Sequence, residues 1–208
     1  MNPLKGKNLV VITGAVTKQP EFVRETHDTK IYRIEIAVKR KSDVTDILPV
    51  ELPEKLLDEG LLSVGNKVKV MGYYRSANVT EGEKNHVILY IYAKELSITD
   101  EEDSNFIFLN GYLCKEPVYR TTPLGKEICE FILAVNRPID GADYIPCLTW
   151  GAEADKAKKY KVGDNVELHG RIQSRVYAKT ENEQRESRIA YEVSAGKSKK
   201  IAKPKAIS

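Results

Sequence analysis

Asn8-Leu9-Val10-Val11-Ile12-Thr13-Gly14 and Asn105-Phe106-Ile107-Phe108-Leu109-Asn110-Gly111 are the stretches on which the fold turns. Residue 105 stands 97 positions beyond residue 8. The same offset carries Pro20 onto Pro117, Ile31 onto Ile128, Ala37-Val38 onto Ala134-Val135, Arg40 onto Arg137 and Pro49 onto Pro146. One residue further, Gly65 falls on Gly163, Val68 on Val166 and Gly72 on Gly170. A register held over that length marks one structural unit made twice. The expected units are residues 1–99 and 105–196, joined by an acidic linker over 100–104 and followed by a basic, disordered tail over 197–208.

Each copy reads as mostly strand. Val10 to Val16 is rich in β-branched residues and runs into a glycine. Across Ile31–Val38, Ile31, Arg33, Glu35 and Ala37 alternate with Tyr32, Ile34, Ile36 and Val38, the period of a strand with one buried face. Lys67 to Tyr74 repeats the pattern, and Val87 to Ala93 supplies a last strand. One helical segment is expected per copy, over Pro53–Leu62 and Ala152–Tyr160, each ending before Val-Gly. Five strands with one helix between the third and fourth fit an all-β chain of two tandem five-stranded OB-fold barrels. An immunoglobulin-like sandwich has no place for that helix and carries a cysteine pair lacking here.

Composition narrows the class. Thirty-three Lys and Arg against 30 Asp and Glu leave a net charge of +3, too mild to name a partner. Its distribution says more: Asp100–Asp103 is acidic and Lys197–Lys205 is basic. No apolar run approaches the length of a membrane helix, so a cytoplasmic, nucleoid-associated protein is expected. Cys114, Cys129 and Cys147 have neither disulfide nor zinc spacing and read as small buried residues. His27, His86 and His169 lie far apart, and no phosphate loop, nucleophile elbow or zincin motif is present. The expectation is no enzyme, no cofactor and no metal.

The second copy resembles the bacterial single-stranded DNA-binding protein family from Asn105 to about Ala195. The resemblance is carried by NFIFLNGYLCKEP, YRTTPLGKEICEFILAVNR, DYIPCLTWG, GDNVELHGRIQSRVY and YEVSA, in that order. The first copy resembles the family only through the second. The resemblance implies an OB-fold that stacks bases on aromatic rings along a basic groove. Tyr144, Trp150 and Tyr177 look like its stacking positions, Arg171 and Arg175 lie in the segment lining the backbone groove, and Arg120 sits in the first hairpin beside the binding face. Two departures stand out. Family members usually end in an acidic tail with a hydrophobic tip that recruits enzymes, whereas Lys203-Pro204-Lys205-Ala206-Ile207-Ser208 is basic. Most carry one OB-fold per chain and form tetramers, so two per chain implies a homodimer presenting four folds, or a monomer.

The residues support that reading independently. Single-strand binders need cations for phosphates and exposed rings for bases. Arg171, Arg175, Tyr177 and Lys179 are all odd-numbered and share one face of an extended strand. Arg188 returns on the partner strand, near Arg185. Each has a bland counterpart: charged hairpins are commonly only solvated, Trp150 is apolar enough for a core, and Tyr144 precedes Ile145-Pro146. In the first copy Tyr73, Arg75 and Ala77 replace Arg171, Gln173 and Arg175, and Pro53 replaces Trp150, so weaker binding or a role in dimerisation is expected there. The functional expectation is sequence-tolerant binding of single-stranded DNA in replication, recombination or repair. The rivals are an adaptor that docks replication or recombination proteins, and an RNA binder.

Overall fold

The computed structural model describes residues 7–58, 60–82, 84–139, 141–181 and 184–202, with the side chains of residues 81, 84, 178–181 and 184–186 left out. The first half contains β1 (Asn8–Thr26), β2 (Thr29–Lys39), β3 (Thr45–Pro53), β4 (Lys67–Glu81) and β5 (Lys84–Ile98). The second contains β6 (Ser104–Leu113), β7 (Val118–Thr121), β8 (Glu127–Asn136), β9 (Ala142–Trp150), α1 (Ala152–Ala157), β10 (Asn165–Glu181) and β11 (Gln184–Lys200). The first barrel runs β1-β2-β3-β5-β4 and closes back onto β1. The second runs β6-β8-β9-β11-β10 and closes onto β6. In each, the third and last strands pair in parallel, the connectivity of an OB-fold.

Even-numbered β2 residues Ile34, Ile36 and Val38 and odd-numbered β8 residues Phe131, Leu133 and Val135 fill the barrel interiors. Their alternating neighbours face outward, as the sequence period requires. The glycine ending each repeated motif is demanded by barrel closure. A Cβ on Gly14 would lie 2.2 Å from the Ala37 carbonyl oxygen, and one on Gly111 would lie 2.8 Å from that of Ala134.

Three expected elements differ in length, the second helical segment among them, since α1 ends at Ala157 rather than at Tyr160. The helical segment of the first half is a single 3-10 turn, Glu54–Leu56, shorter than 53–62. Its counterpart α1 has Ala154 and Ala157 fully buried, whereas the first half offers Asp58 and Gly60, poorer helix formers, after Pro53. The basic segment beginning at Lys197 is not separate from the barrel up to residue 200. Lys197, Lys199 and Lys200 continue β11 opposite His169, Glu167 and Val166 because β10 offers them a ladder. Residues 203–208 lie outside the described residues.

The two barrels are joined through β1 and β6, which pair antiparallel. Asn8 faces Leu109, and its repeat equivalent Asn105 faces Ile12. Val10 faces Ile107, its own equivalent, so a pseudo-twofold axis passes between them. The result is one eleven-stranded sheet and one continuous core. The junction repeats under that axis. Asp46 accepts hydrogen bonds from Arg40 (Nε and Nη2, both 2.7 Å) and from Ser174 across the junction (N 2.7 Å, Oγ 3.0 Å). Asp143 accepts from Arg137 (Nη2 2.7 Å), Arg75 (Nη1 2.7 Å) and Ser76 N (2.9 Å). Both carboxylates are fully buried. Burial pushes the Asp46 carboxyl up, but the hydrogen bonds from Arg40 and Ser174 outweigh it and hold it below the usual aspartate range. Asn105 braces β6 against β10 within the second barrel, its side-chain amide bonding both backbone groups of Ile172 at 2.7 and 2.9 Å.

Candidate nucleic-acid interface

Directly opposed residues on neighbouring strands present their side chains to the same face, so register assembles the site. Arg120 on β7 pairs with Ile128 on β8, which pairs with Trp150 on β9. Leu148, two residues back on β9, pairs with Ser194 on β11, which pairs with Arg171 on β10. Arg120, Trp150 and Arg171 therefore share the outer face of the second barrel. Tyr144 lies on that face too, six residues before Trp150, or roughly 20 Å along the strand. Along β10, Arg171, Gln173, Arg175 and Tyr177 alternate outward opposite Ser194, Glu192, Ala190 and Arg188.

Accessibility separates the candidates. Tyr144 is 54% exposed, Trp150 42% and Tyr177 37%, so these rings are not core residues. Arg171 is exposed, and its nearest polar contact is Gln173 Oε1 at 3.5 Å. Arg175 is exposed, with Glu192 at 3.7 Å. Arg120 is held by Glu130 through Nε (3.2 Å) and Nη2 (3.0 Å), and the Glu130 hydrogen bond is the main reason its affinity for its proton rises. Arg188 is half-buried opposite Tyr177. The side chain of Lys179 lies outside the described residues, as does that of Arg185.

The sequence did not mark the acid on this face. Glu192 is buried and accepts a hydrogen bond from Gln173 Nε2 at 2.9 Å. On the odd-numbered face of β10, Glu192 therefore lies beside Gln173 and Arg175. Cys147 behind β9 is fully buried, which pushes its thiol far up, and burial takes Cys129 up to about 11. Among the described residues, no group of His, Cys, Asp and Glu is placed to hold a metal.

The equivalent face of the first half is built differently. Glu51 occupies the position of Leu148, and Pro53, paired with Ile31, the position of Trp150. Glu51 has no exposed side-chain surface and receives Arg24 Nη2 at 2.7 Å and Arg33 Nη2 at 2.6 Å. The Arg24 guanidinium also lies over the Tyr90 ring, 5.7 Å from its centre. Tyr73 and Arg75 are stacked on one another at 4.9 Å, but Arg75 is directed into the junction, where Asp143 holds it. Arg24 and Arg33 thus clamp one buried carboxylate. The face offers no ring where the second half has Trp150.

Two OB barrels sharing one sheet, with accessible rings and cations on the outer face of the second, define a tandem OB-fold protein. Residues 104–199, the second half of the chain, match the model of the Single-strand binding protein family. Single-stranded DNA-binding protein 1 of Staphylococcus aureus (strain COL) is 39% identical over 84 residues, covering 37% of this chain and 50% of the relative. Single-stranded DNA-binding protein A of Bacillus subtilis (strain 168) is 37% identical over 98 residues, covering 44% of this chain and 55% of the relative. The chain thus spans about half the length of the curated relatives it matches. The wild-type single-stranded DNA binding protein of Thermus aquaticus superimposes with a TM-score of 0.77 over 98% of this chain and 97% of its own. At 21% identity that likeness concerns the fold, and it extends over both barrels.

Proposed function

We propose that this protein binds single-stranded DNA, without base specificity and without catalysis, on the outer face of its second barrel. The carrying observation is that register brings Tyr144, Trp150 and Tyr177 to one accessible face edged by Arg171 and Arg175. Ring faces stack on any base at about 1–3 kcal/mol each, and cations capture the phosphates. Arg120 and Arg188 belong to the periphery of this surface, Lys179 is proposed to join them from its place two residues beyond Tyr177 on β10, and Tyr73 and Arg75 act mainly in the junction. The names of the relatives support the choice of ligand, and the setting is DNA replication, recombination or repair in the bacterial cytoplasm, at the nucleoid.

The first barrel acts chiefly as a scaffold, a reading favoured by the Glu51 clamp. It also bears on assembly into a homodimer with four barrels. Leu9 and Val11 on β1 face Phe108 and Phe106 on β6, and Met71 faces Val11, forming an apolar stripe outside the shared sheet. Sedimentation equilibrium giving only monomer at micromolar concentration would reject the dimer.

Trp150 is the sole tryptophan, so its fluorescence reports the site directly. Titration with a thymine oligomer is expected to quench it, with duplex DNA inactive and binding weakening as salt rises. Tighter binding of a uracil oligomer would redirect the assignment to RNA. Absence of binding by fluorescence and by an independent method would refute it.

A further inference from the structure

Two rows of directly opposed residues cross the outside of the shared sheet. One runs Glu95 (β5), Met71 (β4), Val11 (β1), Phe106 (β6). The other runs Lys197 (β11), His169 (β10), Phe108 (β6), Leu9 (β1). Opposed residues present their side chains to one face, so each row is a continuous strip. The pseudo-twofold axis through Val10 and Ile107 exchanges the strips residue for residue. Val11 takes the place of Phe108, Phe106 that of Leu9, Met71 that of His169, and Glu95 that of Lys197.

The centre of this face is apolar, and its ends carry opposite charges. The His169 ring lies 5.0 Å from that of Phe108 and 6.0 Å from that of Phe106, which remains 36% exposed. Glu95 and Lys197 are both exposed, and among the described residues neither has an ion-pair partner. Neighbouring charges do not cancel this contrast. At the first end Lys69 is held by Glu101 at 2.8 Å and Lys67 by Asp103 at 2.9 Å, while Lys94 lines a separate cavity with Asp28 and Glu54. At the second end Lys199 is held by Glu167 at 2.9 Å and Lys156 by Glu153 at 2.6 Å, and Arg171, two residues beyond His169, adds a further cation. The face is therefore symmetric in backbone and opposite in charge at its two ends.

A second copy can cover this apolar centre face to face in two ways. With the dimer axis across the strands, each first barrel covers the partner's first barrel, Glu95 meets its own equivalent, and so does Lys197. With the axis along the strands, each first barrel covers the partner's second barrel, and Glu95 stands over the partner's Lys197 at both ends. The two strips are two residues apart, about 7 Å along the strand, and packed sheets lie about 10 Å apart, a span two long side chains reach. The same apolar surface is buried either way, so charge selects the arrangement, since like charges brought together disfavour the wrong one. We propose that Glu95 and Lys197 fix the homodimer with first barrel upon second barrel. This inference rests on the homodimer reading above.

The test is sedimentation equilibrium of the full chain as wild type, Glu95→Gln, Glu95→Lys, Lys197→Glu and the double variant Glu95→Lys/Lys197→Glu. Two accessible pairs per dimer predict that Glu95→Gln raises the dimer dissociation constant roughly 2–30-fold. Glu95→Lys and Lys197→Glu should each weaken the dimer further, because each sets like charges against one another at both ends. The double variant exchanges the signs and should return to the wild-type constant. An unchanged or tighter dimer of Glu95→Gln overturns the orientation and leaves the homodimer standing, since the other arrangement is relieved by losing that charge. Failure of the double variant to recover, with its melting temperature intact, also overturns the orientation. A wild-type chain that stays monomeric at micromolar concentration overturns both.

Discussion

Arg75 and Arg175 lie at similar points of the two long hairpins, and their surroundings predict opposite phenotypes. Arg75 is 16% exposed and donates to Asp143 at 2.7 Å, with the carboxylate fully buried. Removing one partner of a buried pair costs about 3–5 kcal/mol when it leaves a bare charge. Here Arg137 and the Ser76 N–H still hold Asp143, so Arg75→Ala should cost less, about 2 kcal/mol. For a chain of this size that lowers the melting temperature by roughly 4–8 °C. Arg175 is 55% exposed, with Glu192 at 3.7 Å, and an exposed pair of that kind is worth about 0–1 kcal/mol. Arg175→Ala should leave the melting temperature nearly unchanged but lower the salt slope of thymine-oligomer binding by about 0.7. Calorimetry and anisotropy on both variants separate the effects. Equal loss of salt slope in the two, with the stability of Arg75→Ala intact, would refute the assignment of Arg75 to the junction.

Acid should loosen the junction. The Asp46 carboxyl sits below its usual value of 3.8, so its stabilisation is present above that pH and is lost as pH falls through the lower folded value. Urea unfolding between about pH 5 and pH 2 should show a decline that Asp46→Asn flattens, and parallel curves for the two proteins would contradict the linkage. At the closure glycines, Gly14→Ala should lower the urea midpoint more than Gly111→Ala, because its Cβ would meet backbone oxygen at 2.2 Å rather than 2.8 Å. Overpacking of this kind costs about 1–3 kcal/mol, and a tolerated Gly14→Ala would show that β2 yields there.

Pseudosymmetry also accounts for how the halves diverged in role. Pairing β1 with β6 about a dyad requires that both copies keep Val10 and Ile107 apolar and both keep the Arg–Asp hairpin pair, Arg40 with Asp46 and Arg137 with Asp143. The outer faces carry no such requirement. Leu148 with Trp150 in one half and Glu51 with Pro53 in the other sit on the same backbone and build an accessible aromatic surface and a closed ion pair respectively.

The strands, the repeat and the barrel class were legible in the chain alone because they rest on local properties: a period of two, glycine at closure, and motif spacing. Tyr177 falls on the polar phase of β10 with Arg171, Gln173 and Arg175, whereas Tyr144 and Trp150 share their phase of β9 with Ala142, Pro146 and Leu148, so pattern alone left their exposure open. The partners of the charges did not follow from pattern either. Arg24, Arg33 and Glu51 come from three strands, and nothing in their spacing tells a clamp from three solvated ions. Arg75 and Asp143 are 68 residues apart and meet only because the two copies embrace across the dyad. The repeat implied that two barrels exist, but not that β1 would pair with β6, which depends on edges left open once each barrel has closed. Only that pairing sets Glu95 of one copy and Lys197 of the other at opposite ends of a single face, because charge acts through space and the sequence records only order along the chain.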